Sequence, residues 1–193
     1  GADNTGVVAY SGGGAVHFDE ADARPMGRNT RGVRGMELPG DQELVGMISV
    51  PPEMHDDLDV LAGAEKGYGK RTQLDDYRVQ GRGGKGLITL NRTDRTGDLV
   101  AIRGVYGDED LMIITENGIM IRTRVAEIST MGRNTQGVRV IDLRDGDNIA
   151  DVTRVADTDE PEDSAPSEQE AAATNGAMDD DSASDAVEDT DGA

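Results

Sequence analysis

Gly27-Arg28-Asn29-Thr30-Arg31-Gly32-Val33 returns as Gly81-Arg82-Gly83-Gly84-Lys85-Gly86-Leu87 and again as Gly132-Arg133-Asn134-Thr135-Gln136-Gly137-Val138, at intervals of 54 and 51 residues. A recurring period of this length marks an array of similar units. Fourteen residues before each copy stands a turn glycine, Gly13, Gly67 and Gly118, preceded by a short apolar run at 7–10, 60–62 and 111–114. After each copy come an apolar segment (33–38, 87–90, 138–143), a polar turn and a second apolar segment (44–50, 99–105, 149–155).

Within these segments apolar residues alternate or run in fours, as in Gly118-Ile119-Met120-Ile121-Arg122-Thr123. That is the pattern of strands, and no segment has the periodicity and caps of an amphipathic helix. The spacing predicts strand, tight turn, strand, basic glycine-rich turn, strand, polar turn, strand. Four short strands per unit is the signature of a blade in a propeller-like array, in which one unit alone buries too little to stand. The expected fold is therefore all-β: about three four-stranded blades near 1–50, 58–105 and 110–156, an arc of a larger ring, making one domain over 1–156. Pro51-Pro52 and the acidic residues after them separate the first two units, since adjacent prolines remove ladder donors.

The chain has 193 residues, with 39 acids against 19 bases and a net charge of −20. Residues 157–193 hold 14 of the acids and neither Lys nor Arg, so the other 25 acids share residues 1–156 with every base the chain has. The acidic segment 157–193 is too polar to offset the entropy of ordering and is expected to be disordered, either as a solubilising tail or as a strip competing with a polyanion for the cations. Only Lys66, Lys70 and Lys85 accompany 16 arginines. Acid excess with scarce lysine is what a halophile's chain, adapted to molar intracellular salt, would carry, because strong screening tolerates crowded carboxylates. With 35% apolar and 3% aromatic residues, the core must come from Val, Ile, Leu and Met. The absence of cysteine excludes a disulfide scaffold, a thiolate metal site and a cysteine nucleophile. Apolar runs fall far short of the roughly 20 residues needed to span a bilayer, and no secretory leader opens the chain; a soluble protein is expected.

Most chemical motifs fail on context. Gly81-x-Gly83-x-x-Gly86 matches the dinucleotide fingerprint in letters, but it opens onto the strand-like Leu87-Ile88-Thr89-Leu90 where that fingerprint needs a helix N-terminus. Gly69-Lys70-Arg71-Thr72 has Ala64 where a phosphate loop needs its first glycine. His17 and His55 stand apart without paired carboxylates and read as solvent-facing imidazoles rather than metal ligands. Asp108-Glu109-Asp110 reads as a solvated turn. No nucleophile elbow is present, so the segment is expected to have no catalytic residues, no metal and no cofactor.

What remains is a cation repeated in register. Arg28, Arg82 and Arg133 occupy the second position of the basic turn, and Arg31 and Lys85 the fifth, where the third copy has Gln136. Flanking glycines let main-chain N–H groups approach a phosphate. Further cations follow at Arg34, Arg92, Arg95 and Arg139, or precede at Lys70, Arg71, Arg122 and Arg124. In an array with one orientation per unit these positions line one edge. With no aromatic platform for single strands and no helix for a groove, such an edge fits the backbone of duplex DNA, bound without sequence preference.

The stretch from Leu111-Met112-Ile113-Ile114-Thr115-Glu116-Asn117-Gly118 through Arg122-Thr123-Arg124-Val125 to Met131-Gly132-Arg133-Asn134-Thr135-Gln136-Gly137-Val138 resembles the final blade of the DNA gyrase A C-terminal domain. Lys66-Gly67-Tyr68-Gly69-Lys70-Arg71-Thr72 and Gln80-Gly81-Arg82-Gly83-Gly84-Lys85-Gly86 resemble the blade before it. The likeness covers 1–156 and implies a β-pinwheel that wraps DNA around a basic rim, in a type IIA topoisomerase that introduces negative supercoils with ATP. It implies the last three or so of six blades plus an acidic tail. ATP and Mg²⁺ would act through other domains and through gyrase B, in an A2B2 holoenzyme with a second gyrase A, in the cytoplasm and on the chromosome, away from membranes. Residues 80–86 are similar to the family's seven-residue box, with Gly81 where the box is basic, although that box belongs to the first blade. The DNA-breaking tyrosine lies in an N-terminal core, so Tyr10, Tyr68, Tyr77 and Tyr106 are assigned no catalysis. Two alternatives are a topoisomerase IV C-terminal domain, using the same blades to choose substrates, and a non-enzymatic propeller-like interaction module.

Overall fold

Each apolar run and the segment after its turn glycine close into an antiparallel hairpin: β1 (Thr5–Tyr10) with β2 (Gly14–Asp19). A third strand, β3 (Leu44–Val50), returns along the other side of β1. The second hairpin is β4 (Asp59–Ala64) with β5 (Tyr68–Gln73). Past the short β6 (Leu87–Ile88), β7 (Leu99–Val105) lies against β4. The third hairpin is β8 (Asp110–Thr115) with β9 (Met120–Arg124), followed by β10 (Val138–Arg139) and by β11 (Ile149–Val155), which pairs with β8. The computed structural model describes residues 4–155, all within one compact unit; the segment expected to be a disordered acidic tail lies outside the described residues. Among the described residues there is no α-helix, only three-residue 3-10 turns such as Leu74–Asp76 and Val125–Glu127.

The fold is all-β, as expected, but the strands are shared differently from the expected blade. The sheet orders are β3-β1-β2-β6, β10-β5-β4-β7 and β11-β8-β9. The strand after the second and after the third basic turn leaves its own unit and joins the sheet of the preceding one: β6 pairs with β2, and β10 with β5. The segment 33–38, expected to be a strand of the first sheet, forms none; its Met36 is buried against Val8, Val16 and Phe18. The third sheet has three strands among the described residues. Alternation along a chain reveals that a segment is a strand, but a sheet edge accepts any extended backbone, so periodicity cannot name the sheet. The exchanged strands are also shorter than their apolar segments, because Leu90 and Ile141 turn away from the ladder into the core, 1% and 8% exposed.

The exchange depends on one backbone geometry. Gly86 and Gly137 close their basic turns at φ 79° and 77°, and a Cβ there would lie 2.4 Å from Ala15 O and 2.6 Å from Gly69 O. Only glycine allows both the left-handed conformation and the close approach to the neighbouring strand.

The sheets stack face to face. One core joins Val7, Ala9 and Ile48 of the first sheet to Val60, Ala62, Leu99 and Ile102 of the second. Another joins Leu61, Ala101 and Val105 to Leu111, Ile113 and Val152. Being covered on both faces explains why 60–64 is buried throughout, whereas along β8, covered on one, burial alternates. Each fully buried Leu or Val contributes on the order of 1.5–3 kcal/mol, so one sheet without its neighbour would forfeit most of its core.

Candidate nucleic-acid interface

Strand exchange lays the second and third basic turns along the outer edge of the preceding sheet, and the same bonds recur there in register. In the first seam His17 and Val79 form a parallel bridge, and Gln80 N donates to His17 O at 2.7 Å. His17 Nδ1 donates to Tyr77 O at 2.6 Å, leaving Nε2 to accept from the Thr5 hydroxyl at 2.8 Å. In the second seam Arg71 replaces His17: it bridges Thr130, Met131 N donates to Arg71 O at 2.8 Å, and its Nε donates to Ile128 O at 2.8 Å. Asp59 stands in for Thr5 and pairs with Arg71 at 3.3 Å. Burial pushes the Asp59 carboxyl up, against the opposing pull of Arg71. His17, expected to face solvent, is 1% exposed because the next unit covers it; burial lowers its pKa, its bond to Tyr77 works the other way, and His55 adds to the lowering.

The repeated arginines form the other half of each seam. Arg82 Nη1 donates to Arg34 O at 3.2 Å and its Nε to Asp22 O at 2.5 Å. One unit later, Arg133 Nη1 donates to Ile88 O at 3.2 Å, its guanidinium 5.9 Å from the centre of the Tyr77 ring. Arg34 and Ile88 are equivalent residues of successive units, so the two bonds are one device used twice. Main-chain bonds at 2.6 Å (Gly83 N to Gly35 O) and 2.9 Å (Glu37 N to Gly84 O) hold the second basic turn against the segment that follows the first.

Lys70 departs most from its expected place on the edge. It is 0% exposed, its ammonium donating to Gly132 O at 2.7 Å, to Thr135 Oγ1 at 2.9 Å and to Arg133 O. Burial, with the Arg133 charge adding to it and Asp76 opposing, lowers its pKa to about 8. It supports the third basic turn from beneath and is too enclosed to meet a ligand phosphate. Its register mates are Val16 and Ile121, which show that the position is an inward one.

The remaining candidates separate by carboxylate pairing. Arg92 pairs with Asp98 at 2.9 Å, Arg122 with Asp110 at 2.6 Å and Arg139 with Asp142 at 2.7 Å. Such exposed pairs are worth little to stability but hold part of each cation's charge. Arg28, Arg31, Arg34, Lys85 and Arg124 are exposed and pair with no carboxylate among the described residues. Three of these five, Arg28, Arg31 and Lys85, lie on the first two basic turns, and Arg34 lies on the segment between the first turn and Gly35, where the second turn is bound. Sequence reading passed over Arg24 and its register mate Arg78, both exposed and upstream of those turns; the 54-residue offset was the signal that could have found them.

Sheets that each take up one strand from the following unit, with a basic turn beside each of the two seams, define a propeller-like β-repeat domain. The family model described as DNA gyrase C-terminal domain, beta-propeller, matches residues 11–51, 59–105 and 109–156. DNA gyrase A from Deinococcus deserti is 41% identical over 155 residues, 80% of this chain and 19% of that protein. DNA gyrase A from Staphylococcus aureus strain NCTC 8325 is 42% identical over 156 residues, 81% of this chain and 17% of that protein. A solved DNA gyrase A C-terminal domain superposes with a TM-score of 0.72 at 26% identity, covering 80% of this chain and 51% of that one. The C-terminal domain of DNA topoisomerase IV gives 0.72 at 20% identity over 79% and 46%, a likeness of fold. The chain belongs to the DNA gyrase C-terminal domain family, and it spans less than a fifth of the length of these curated relatives.

Proposed function

We propose that this chain is the part of a DNA gyrase A that binds duplex DNA along its phosphate backbone and wraps it. One observation carries the reading: Arg28, Arg31, Arg34 and Lys85, exposed and without carboxylate partners among the described residues, sit on the first basic turn, on the segment after it and on the second basic turn hydrogen-bonded to that segment, in an otherwise acidic body. Phosphates supply the anion these groups lack, and glycine-rich backbone gives the duplex room to approach. Arg82 and Arg133 hold the turns in place and offer their remaining N–H groups. Bending a site of 20–30 bp costs on the order of 1–6 kcal/mol, so wrapping needs contacts on several seams. The chemistry belongs elsewhere: strand cleavage to an N-terminal core, and ATP with Mg²⁺ to gyrase B in an A2B2 assembly acting on the chromosome in the cytoplasm. Among the described residues no helix is long and apolar enough to cross a membrane.

Ligating nicked circular DNA with the chain present tests the proposal. A linking-number shift that grows with protein and vanishes with Arg28→Glu, Arg31→Glu and Arg34→Glu is the expected result. Binding without a shift would replace wrapping with the substrate-selecting role of a topoisomerase IV domain. No binding at low salt would overturn the nucleic-acid reading altogether.

A further inference from the structure

Tyr68 lies at the start of β5, 5% exposed, with two arginines on its phenol oxygen. Arg95, on the polar turn before β7, donates from Nε at 2.6 Å; Arg139, on β10, donates from Nη2 at 3.4 Å. Their guanidinium carbons lie 5.3 and 5.6 Å from the ring centre. The two donor nitrogens, each part of a positive group, are thus held no farther apart than these two hydrogen bonds laid end to end. The bond from Arg139, with the one from Arg95 adding to it, lowers the phenol's pKa.

The inventory of donors and acceptors is one-sided. Arg139 uses Nη1 on Asp142, but Arg95 pairs with no carboxylate, and its two terminal nitrogens have no acceptor among the described residues. The phenol accepts twice, while its own O–H finds no acceptor among the described residues. The cluster therefore offers several N–H donors and an O–H where acceptors are scarce, a demand that an anion with several oxygens meets. It is particular to this seam, since the register mates of Tyr68 are Gly14 and Ile119.

We propose that Arg95, Tyr68 and Arg139 form a phosphodiester-binding site, a contact to the DNA backbone separate from the basic turns. The proposal rests on the duplex-binding reading above. Arg95 and Arg139 supply charge, and Tyr68 orients them and adds a neutral donor.

The test is fluorescence anisotropy of the full chain with a labelled 30-bp duplex across a salt series, with thermal melts alongside. Arg95→Gln is expected to weaken binding about three- to tenfold and to flatten the log–log salt dependence by about 0.9, the loss of one phosphate contact. Arg95→Lys should keep the slope. Tyr68→Phe should weaken binding with the slope unchanged, because the donor it removes is uncharged. A lower melting temperature for Arg95→Gln with affinity and slope unchanged would make the cluster a structural staple and overturn the site. Arg28→Gln separates the two levels: if it flattens the slope and Arg95→Gln does not, this site alone fails. If the wild-type chain shows no salt-dependent binding, the duplex reading fails with it. Titration with inorganic phosphate, read at the Arg95 Nε resonance, should show weaker binding than duplex at equal phosphate concentration; tighter binding would overturn the phosphodiester assignment in favour of a small-anion site.

Discussion

Arg82 reaches across the seam between two sheets to donate to the main-chain oxygen of Arg34 at 3.2 Å. The residue that recurs most conspicuously in the sequence is therefore a fastener, whereas Arg28, its first copy, is exposed and makes no such bond among the described residues. Hydrogen bonds to a charged donor contribute about 1.5–3 kcal/mol. Arg82→Gln is expected to lower unfolding free energy by a value in that range, and Arg133→Gln likewise. Arg28→Gln, on an exposed turn, should change stability by less than about 0.5 kcal/mol yet weaken duplex binding. Urea melts beside anisotropy titrations check the division; equal destabilisation by all three would contradict it.

Lys70 makes the third basic turn sensitive to pH. Its folded pKa of about 8 lies below the ordinary 10.5. Between those values the unfolded chain holds more protons, so the Lys70 contribution rises with pH across that window and is flat below it. Lys70→Met strands the oxygens of Gly132 and Arg133 and should cost about 1–3 kcal/mol at pH 7. The deficit relative to wild type should then widen between pH 8 and 10, by up to about 1.4 kcal/mol per unit. Chemical denaturation of both proteins at pH 7, 8.5 and 10 provides the measurement, and a deficit that narrows would reject the cage.

His17 works at the other end of the scale. Its folded pKa lies below 6.5, so on acidification the unfolded chain binds the proton first and stability falls below about pH 6.5. His17→Asn, which preserves a donor for Tyr77 O, should be less stable than wild type at pH 7.5, with the gap shrinking by pH 5. Urea midpoints at the two pH values decide it; a gap of constant size would mean that the imidazole is not held neutral.

Residues 157–193 carry 14 acids and no base. A polyanionic segment tethered to a cationic seam competes with DNA at low ionic strength, where screening is weakest. Removing it is expected to tighten duplex binding at 50 mM salt, with the gain fading toward molar KCl. Unchanged affinity at low salt would leave the segment without a competing role.

Much of the architecture was legible in the chain. The register of Gly27, Gly81 and Gly132 announced repeated β units, and Gly86 and Gly137 had to be glycine for the reason the structure displays. The candidate site was legible only as a pool of cations. Lys70 and Arg71 sit in strand segments whose alternation shows a face without showing what covers it. Arg122 looked free because Asp110, 12 residues earlier, meets it only across the β8–β9 hairpin, whereas Asp142, only three residues after Arg139, is a partner that the spacing could have offered. The Tyr68 cluster draws Arg95 from a turn 27 residues away and Arg139 from a strand, β10, 71 away, a convergence that no spacing encodes.

The sequence by itself determined the count of units, their β character and the conformation of their turns, because these follow from short-range alternation and from steric rules acting at single glycines. Tertiary structure alone decided which sheet receives each strand, and hence which arginines fasten the seams and which face outward. Edge pairing and the side-chain bonds across the seams join residues far apart along the chain, and only their positions in space select the partners.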